Sequence, residues 1–246
     1  MIKLIWVSIK MNLEEMWSYR LNTILELFTS FVWGVSIVFG LNVLRIRGEN
    51  FYLAYIAWTF FHFTANRVGI EMNYFTTIGV IERIFSSYYP VKVLILSIVS
   101  LSSVMSFIYM TVFYFAGYFS NILKNFNYMT TFLIFCFLYI FMVGLSYLFA
   151  GLYLIFKRTM SIVQLINLLL FGIGTYAAGA KNSILMKLTT YTYAIYTLVK
   201  VHSGVHISGG DIEILAFTSL IMIIVGVIFF DFSYNCARKA GTIGHM

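Results

Sequence analysis

Charge is scarce in this sequence. Only 10% of its 246 residues are Asp, Glu, Lys or Arg, whereas 61% are hydrophobic. A soluble domain carries about 25% charged and about 45–50% apolar residues, so this chain has too few polar side chains to cover a surface in water. Intrinsic disorder is excluded for the opposite reason, because so apolar a chain does not remain solvated. The composition therefore predicts an integral membrane protein.

Proline is nearly absent as well, with one residue in the whole chain. A transmembrane β-barrel would alternate apolar and polar residues over segments of about ten. The chain instead contains nearly uncharged runs of 15 to 29 residues, and a helix needs about 20 to cross the bilayer. We therefore expect an all-α protein with six transmembrane helices, at 21–43, 51–70, 91–119, 128–156, 159–179 and 212–230.

The common sequence signatures of catalysis are also missing. The chain has no G-x-x-x-x-G-K-[ST] phosphate loop, so we do not expect it to hydrolyse ATP. It has neither an H-E-x-x-H zinc motif nor a G-x-S-x-G nucleophile motif. The net charge of +7 is not concentrated in a basic run, so nucleic acid is not an expected partner and the lipid bilayer is.

Three segments differ from the spans. Residues 1–20 have the apolar spacing of an amphipathic helix that lies in the membrane interface. Residues 71–90 form a loop with helical apolar spacing that ends at Pro90, and 180–210 is an aromatic, Thr-rich segment that could dip back into the membrane. Ten of the 16 Lys and Arg residues fall on the side of the N-terminus, which predicts that both termini are cytoplasmic.

Histidines are the most conspicuous polar residues near the membrane. His62 lies within the second predicted span, where we expect a neutral ring bonded to a neighbouring helix. His202 and His206 are four residues apart, with Asp211 and Glu213 nearby. On one helix the two rings could share a metal ion, but Gly204 lies between them, and we favour two interfacial histidines and no metal.

Gln164 and Asn167 are polar residues within the fifth predicted span. Amides in a membrane helix commonly hydrogen bond to neighbouring helices, so we expect them to join helices rather than to form an ion pathway.

The order of these parts resembles that of the ABC type-2 exporter permeases, the membrane halves of ABC transporters. The strongest local match is the 71–90 loop, where Glu71 is followed by Gly79-Val80-Ile81-Glu82, a short apolar helix and Pro90. The basic tail Arg238-Lys239-Ala240-Gly241-Thr242-Ile243-Gly244 is also similar to the ending of that family. The family's acidic-basic run before the glycine is replaced here by residues 72–77.

The resemblance implies a permease that is not itself an enzyme. Separate ABC ATPase subunits would bind ATP and Mg, and a second permease copy or homologue would complete the pathway. Residues 71–90 would be the cytoplasmic coupling helix that contacts the ATPase, through Glu71, Gly79, Val80, Ile81, Glu82, Arg83 and Phe85. The substrate pathway would include Trp33, Trp58, Phe60, Phe61 and Phe171, and these aromatic residues would suit an amphipathic peptide, a lipid-linked glycan or a drug.

Two other classes of protein remain open at this stage. A membrane-embedded enzyme of lipid or glycan metabolism would need clustered polar groups, which only the region of His202, His206, Asp211 and Glu213 approaches. A structural or sensory subunit would share the spans without needing a coupling helix. We expect a multi-pass protein of the cell membrane, of prokaryotic origin.

Overall fold

A computed structural model describes residues 48–77, 91–156, 160–179, 186–187 and 189–239, together with isolated positions before residue 48. No strand occurs in these ranges, and their regular structure is helical. The predicted interfacial helix at 1–20 and the first predicted span at 21–43 lie almost wholly outside the described residues. The described ranges contain six long α-helices: α1 (Gly48–Thr77), α2 (Val91–Phe119), α3 (Tyr128–Phe156), α4 (Met160–Gly179), α5 (Thr190–His202) and α6 (Gly209–Lys239).

Four of these helices are long and apolar enough to cross a membrane: α2, α3, the Ser161–Gly179 part of α4, and α6. Their lengths of 19 to 31 residues match the about 20 that a bilayer requires. The described part of the chain is therefore all-helical and has the character of a membrane protein. Helix α1 contains the second predicted span but continues seven residues beyond its predicted end at Ile70.

Helix α1 is the central helix of the bundle, because it contacts α2, α3, α4 and α5. Its buried polar residues include Thr59, Thr64 and Asn66. The Thr64 hydroxyl donates to Oγ of Ser106 on α2 over 2.8 Å. Polar groups are tolerated here because they face protein rather than lipid, and they explain why α1 is less apolar than its neighbours.

The contacts between helices define two ends of the bundle. Near the beginning of α1, the Tyr52 hydroxyl donates to the carbonyl oxygen of Phe113, which is near the end of α2. The two helices are therefore antiparallel. We call the end that contains the beginning of α1, the 120–127 turn and the beginning of α6 the outer end, after the orientation that the sequence predicts.

Helices α3 and α6 run parallel and pack more closely than any other pair among the described helices. Oγ of Ser219 donates to the carbonyl oxygen of Phe137, a Cβ on Gly226 would overlap the backbone oxygen of Gly144, and a Cβ on Gly151 would lie 3.0 Å from Oγ of Ser233. Successive contacts on each helix are seven residues apart, which is the period that keeps two supercoiled helices in register. Small residues allow the two backbones to touch.

Helix α5 crosses only the outer half of the bundle. At its beginning, Oγ1 of Thr190 lies 2.8 Å from Oγ1 of Thr218, which is about 14 Å along α6 from the outer end. At its end, the carbonyl oxygen of His202 accepts a hydrogen bond from Asn125 of the outer turn. The predicted 180–210 segment therefore contains a helix that begins inside the protein.

A helix that begins away from water needs partners for its first N–H groups. The Thr189 hydroxyl accepts from the backbone N–H of Thr192 over 3.3 Å, and the Thr192 hydroxyl donates to the carbonyl oxygen of Met186. This cap explains the density of threonines at the beginning of α5, because serine and threonine are preferred at helix N-termini.

Candidate functional site: a polar seam between α1 and α4

A cluster of polar and aromatic side chains lies where α1 and α4 meet. The two helices are antiparallel, since Asn50 at the beginning of α1 donates to the carbonyl oxygen of Ala178 at the end of α4. One face of α1 carries three of the side chains at helical spacing, and the facing side of α4 carries the other two. We call these five residues the polar seam: Trp58, His62, Asn66, Asn167 and Phe171.

The hydrogen bonds of the seam centre on His62. Its Nδ1 lies 2.8 Å from Nδ2 of Asn167 on the opposite helix and 3.4 Å from Nδ2 of Asn66, one turn along its own helix. The indole N–H of Trp58 donates to the backbone oxygen of Asn167 over 3.2 Å. The imidazole thus bridges α1 and α4, which agrees with the prediction of a histidine bonded to a neighbouring helix.

Aromatic rings cover the same seam. The Trp58 and Phe171 rings are 5.2 Å apart with their planes at 63°, and the Trp58 and His62 rings are 5.6 Å apart. Phe51 packs edge-on against Phe171 at 5.8 Å. Trp58, His62 and Phe171 are each partly exposed.

Two polar atoms in the seam have no partner. Oδ1 of Asn66 and Oδ1 of Asn167 are buried without a hydrogen bond in the part of the chain that the structure describes. An unsatisfied buried polar group costs about 1–3 kcal/mol, and native proteins contain few of them, so each one requires an explanation. Asn167 lies at the eighth of the 20 positions of α4, which places the seam near the middle of that helix.

The predicted pathway residues separate into two groups. Trp58 and Phe171 belong to the seam, whereas Phe60 and Phe61 are fully buried in the core. Phe60 packs 5.0 Å from both Phe107 and Phe135. Trp33 lies outside the described residues. Of the four predicted pathway residues that the structure describes, two thus belong to the seam and two to the core.

Asn66 belongs to this site although the sequence patterns above do not single it out. A usable signal exists, because Trp58, His62 and Asn66 follow one another at intervals of four residues. That spacing places all three on one helix face. Asn167 is predicted to join helices, and it does so through His62 and Trp58.

Of the predicted coupling residues, only Glu71 lies within the part of the chain that the structure describes. Glu71 lies on α1 itself, and its carboxylate is 3.0 Å from the Arg67 guanidinium one turn earlier. Glu71 therefore lies on the same helix as the seam, near the end of α1 that is opposite to the outer end. Gly79, Val80, Ile81, Glu82, Arg83 and Phe85 lie outside the described residues.

A second polar cluster closes the outer end of the bundle. The Asp211 carboxylate accepts from the Tyr193 hydroxyl, the Lys200 ammonium, and the backbone N–H and hydroxyl of Ser208, over distances of 2.7 to 2.9 Å. The Asp211 side chain is only 8% exposed. We call Tyr193, Lys200, Ser208 and Asp211 the outer latch, because they fasten α5 to the beginning of α6.

The two histidines of this region do not form a metal site in the described structure. Helix α5 ends at His202, whereas His206 lies in the exposed segment that follows, so the two rings do not share a helix face. Nδ1 of His202 bonds to the carbonyl oxygen of Leu198, and burial lowers the pKa of this imidazole below its usual value. No group of three or more His, Cys, Asp or Glu side chains among the described residues could hold a metal ion.

Comparisons with protein-family models, with curated proteins and with solved structures find no match to this chain. The kind of protein is therefore described from its fold and from the polar seam alone. In its described part it is an all-helical protein with four helices able to cross a membrane, and a polar seam of buried amides and partly exposed rings lies between α1 and α4.

Proposed function

We propose that this chain is the permease subunit of an ATP-driven ABC exporter, and that it moves an amphipathic substrate with energy from separate ATPase subunits. The observation that carries the proposal is the polar seam. Unsatisfied amides inside a membrane bundle are costly, and polar groups in such a position commonly mark a binding pathway. A second permease copy would face the seam and complete that pathway.

Helix α1, which carries three residues of the seam, continues into the proposed coupling segment. Helix α1 is continuous from Gly48 to Thr77, and its inner end carries the Arg67–Glu71 ion pair. A continuous helix transmits a displacement of its end along its axis. Residues 71–90 would contact the ATPase at that end, and the ATPase would bind ATP and Mg.

The alternative of a membrane-embedded enzyme receives less support. Of its four candidate residues, Asp211 is already bonded to Tyr193, Lys200 and Ser208, and its side chain is almost fully buried. His206 and Glu213 are exposed and are bonded to neither Asp211 nor His202 in the described structure. These groups do not converge on a common reacting position.

Replacing Glu82 and Arg83 tests the proposal. We expect the wild-type chain to co-purify in mild detergent with an ATPase encoded beside it. In the Glu82→Ala/Arg83→Ala variant, we expect ATP hydrolysis by the complex to fall about tenfold or the complex to dissociate, because rim charges fix the register of an interface. The matched control is Glu213→Ala, which removes an exposed charge at the outer end. A stable chain that binds no ATPase would contradict the proposal.

A further inference from the structure

The two amides of the seam are not fully hydrogen-bonded by the described part of the protein. Nδ1 of His62 bonds to one end of the Asn66 amide and one end of the Asn167 amide. The other end of each amide is without a partner in the described residues, although Asn66 is only 3% exposed and Asn167 only 8%. Amide oxygen and nitrogen are distinguished only by their hydrogen-bond network, so a group that both donates and accepts would satisfy either orientation.

The charge of the seam favours a neutral ligand. None of its five side chains is an acid, a lysine or an arginine. The nearest charged side chain along α1 is Arg67, which is half-exposed and paired with Glu71. Burying an ion without an opposite charge costs far more than burying a neutral polar group that is hydrogen-bonded.

The aromatic residues of the seam provide an apolar surface beside the amides. Trp58 contacts both His62 and Phe171, so the same ring borders the polar centre and the aromatic wall. A ligand that fits both parts has a polar end and an apolar end. Hydroxyl and carboxamide groups are the neutral groups that both donate and accept hydrogen bonds.

We propose that the polar seam binds the uncharged, hydroxyl- or amide-bearing head group of an amphipathic molecule. Asn66 and Asn167 form hydrogen bonds with the head group, and Trp58 and Phe171 pack against the adjoining apolar part. This inference rests on the proposed function, since it specifies the chemistry of the substrate that such a permease would carry.

A fluorescence titration of Trp58 tests the head-group chemistry. The reporter protein carries Trp6→Phe, Trp17→Phe and Trp33→Phe, which leaves Trp58 as its only tryptophan, and it is held in a lipid nanodisc. The probes are octyl glucoside, octyl sulfate and octyltrimethylammonium, each below its micelle concentration. They share one chain and differ in head-group charge. We expect a saturable change with octyl glucoside and at least about tenfold weaker binding of both charged probes.

Two variants test the role of the amides. We expect Asn167→Leu to weaken octyl glucoside binding about tenfold, because a polar group in the ligand loses its partner. Gln164→Leu is the matched control, since Gln164 is an exposed amide one turn away on the same helix, and we expect it to leave binding unchanged. Asn66→Leu is the second test and applies where Asn167→Leu lowers the yield of folded protein.

Several results would overturn the inference. These are equal or tighter binding of a charged probe, no saturable binding of octyl glucoside, or equal effects of Asn167→Leu and Gln164→Leu. The titration involves no ATPase, so its failure is separate from failure of the permease proposal. A complex with the ATPase whose seam prefers a charged probe would refute only the head-group chemistry.

Discussion

Replacing Gly226 with valine is expected to force apart the two most closely packed helices of the described bundle. A Cβ at this position would overlap the backbone oxygen of Gly144, and a backbone cannot rotate away as a side chain can. Helices α3 and α6 would have to separate along the length of their contact. Overpacking typically costs about 1–3 kcal/mol and occasionally more, and we expect at least about 3 kcal/mol here because backbone meets backbone.

The measurement is thermal unfolding in detergent, followed together with the yield of monodisperse protein. Gly172→Ala is the matched control, because the space around Gly172 is open and nothing lies within 4 Å of the position that an alanine methyl group would take. Alanine favours a helix over glycine by about 1 kcal/mol, so we expect this control to be neutral or slightly more stable. A Gly226→Val protein as stable as Gly172→Ala would show that α3 and α6 do not touch as described.

Removing the carboxylate of Asp211 is expected to produce the second-largest effect. Asp211→Ala leaves the Lys200 ammonium without its partner, and that side chain is only 24% exposed. Breaking a buried ion pair from one side costs about 3–5 kcal/mol, because the remaining charge is uncompensated. We expect a loss at the lower end of this range, since Lys200 retains some contact with solvent, and we expect α5 to detach from the beginning of α6.

A double-mutant cycle separates the contribution of the Lys200–Asp211 ion pair to stability from that of the other hydrogen bonds of the outer latch. Adding Lys200→Met to Asp211→Ala should recover part of the lost stability, because it removes the unpaired charge. Glu213→Ala removes an exposed carboxylate two residues away on the same helix and should have little effect. If Asp211→Ala and Glu213→Ala unfold at the same temperature, the latch does not hold α5 in place.

The bounds of a span can be predicted from the sequence where the helix is one uninterrupted apolar run. Helices α2 and α3 have the same bounds as the third and fourth predicted spans, whereas α6 continues nine residues beyond the predicted end of the sixth span at Phe230. Helix α1 is longer than predicted, and it carries buried polar residues that bond to neighbouring helices. A hydropathy pattern does not contain that information.

The seam can be predicted only in part for a related reason. His62 is recognisable as a polar residue in a predicted span, and Trp58 and Phe171 are recognisable as aromatic residues of the second and fifth predicted spans. Which aromatic residues face the core depends on the rotation of α1, and the rotation is set by the packing of Phe60 and Phe61 against α2, α3 and α5. The register of α3 against α6 likewise depends on contacts between distant parts of the chain.

The two polar clusters of the bundle suggest different roles. The outer latch is bonded around a buried carboxylate, as expected of a structural fastening. In the seam, the buried amides of Asn66 and Asn167 are incompletely bonded, and the three rings beside them are partly exposed, as expected of a site that acquires partners during function. This contrast supports placing the substrate at the seam rather than at the outer latch.

Site-specific photocross-linking tests the permease proposal most directly. The benzophenone amino acid p-benzoylphenylalanine replaces Phe85 in the proposed coupling segment or, in the matched control, Phe126 in the exposed outer turn. Each protein is co-expressed with the neighbouring ATPase and irradiated in the membrane. We expect a cross-link to the ATPase from position 85 and none from position 126. A cross-link from position 126, or none from position 85 in a folded protein, would contradict the proposal.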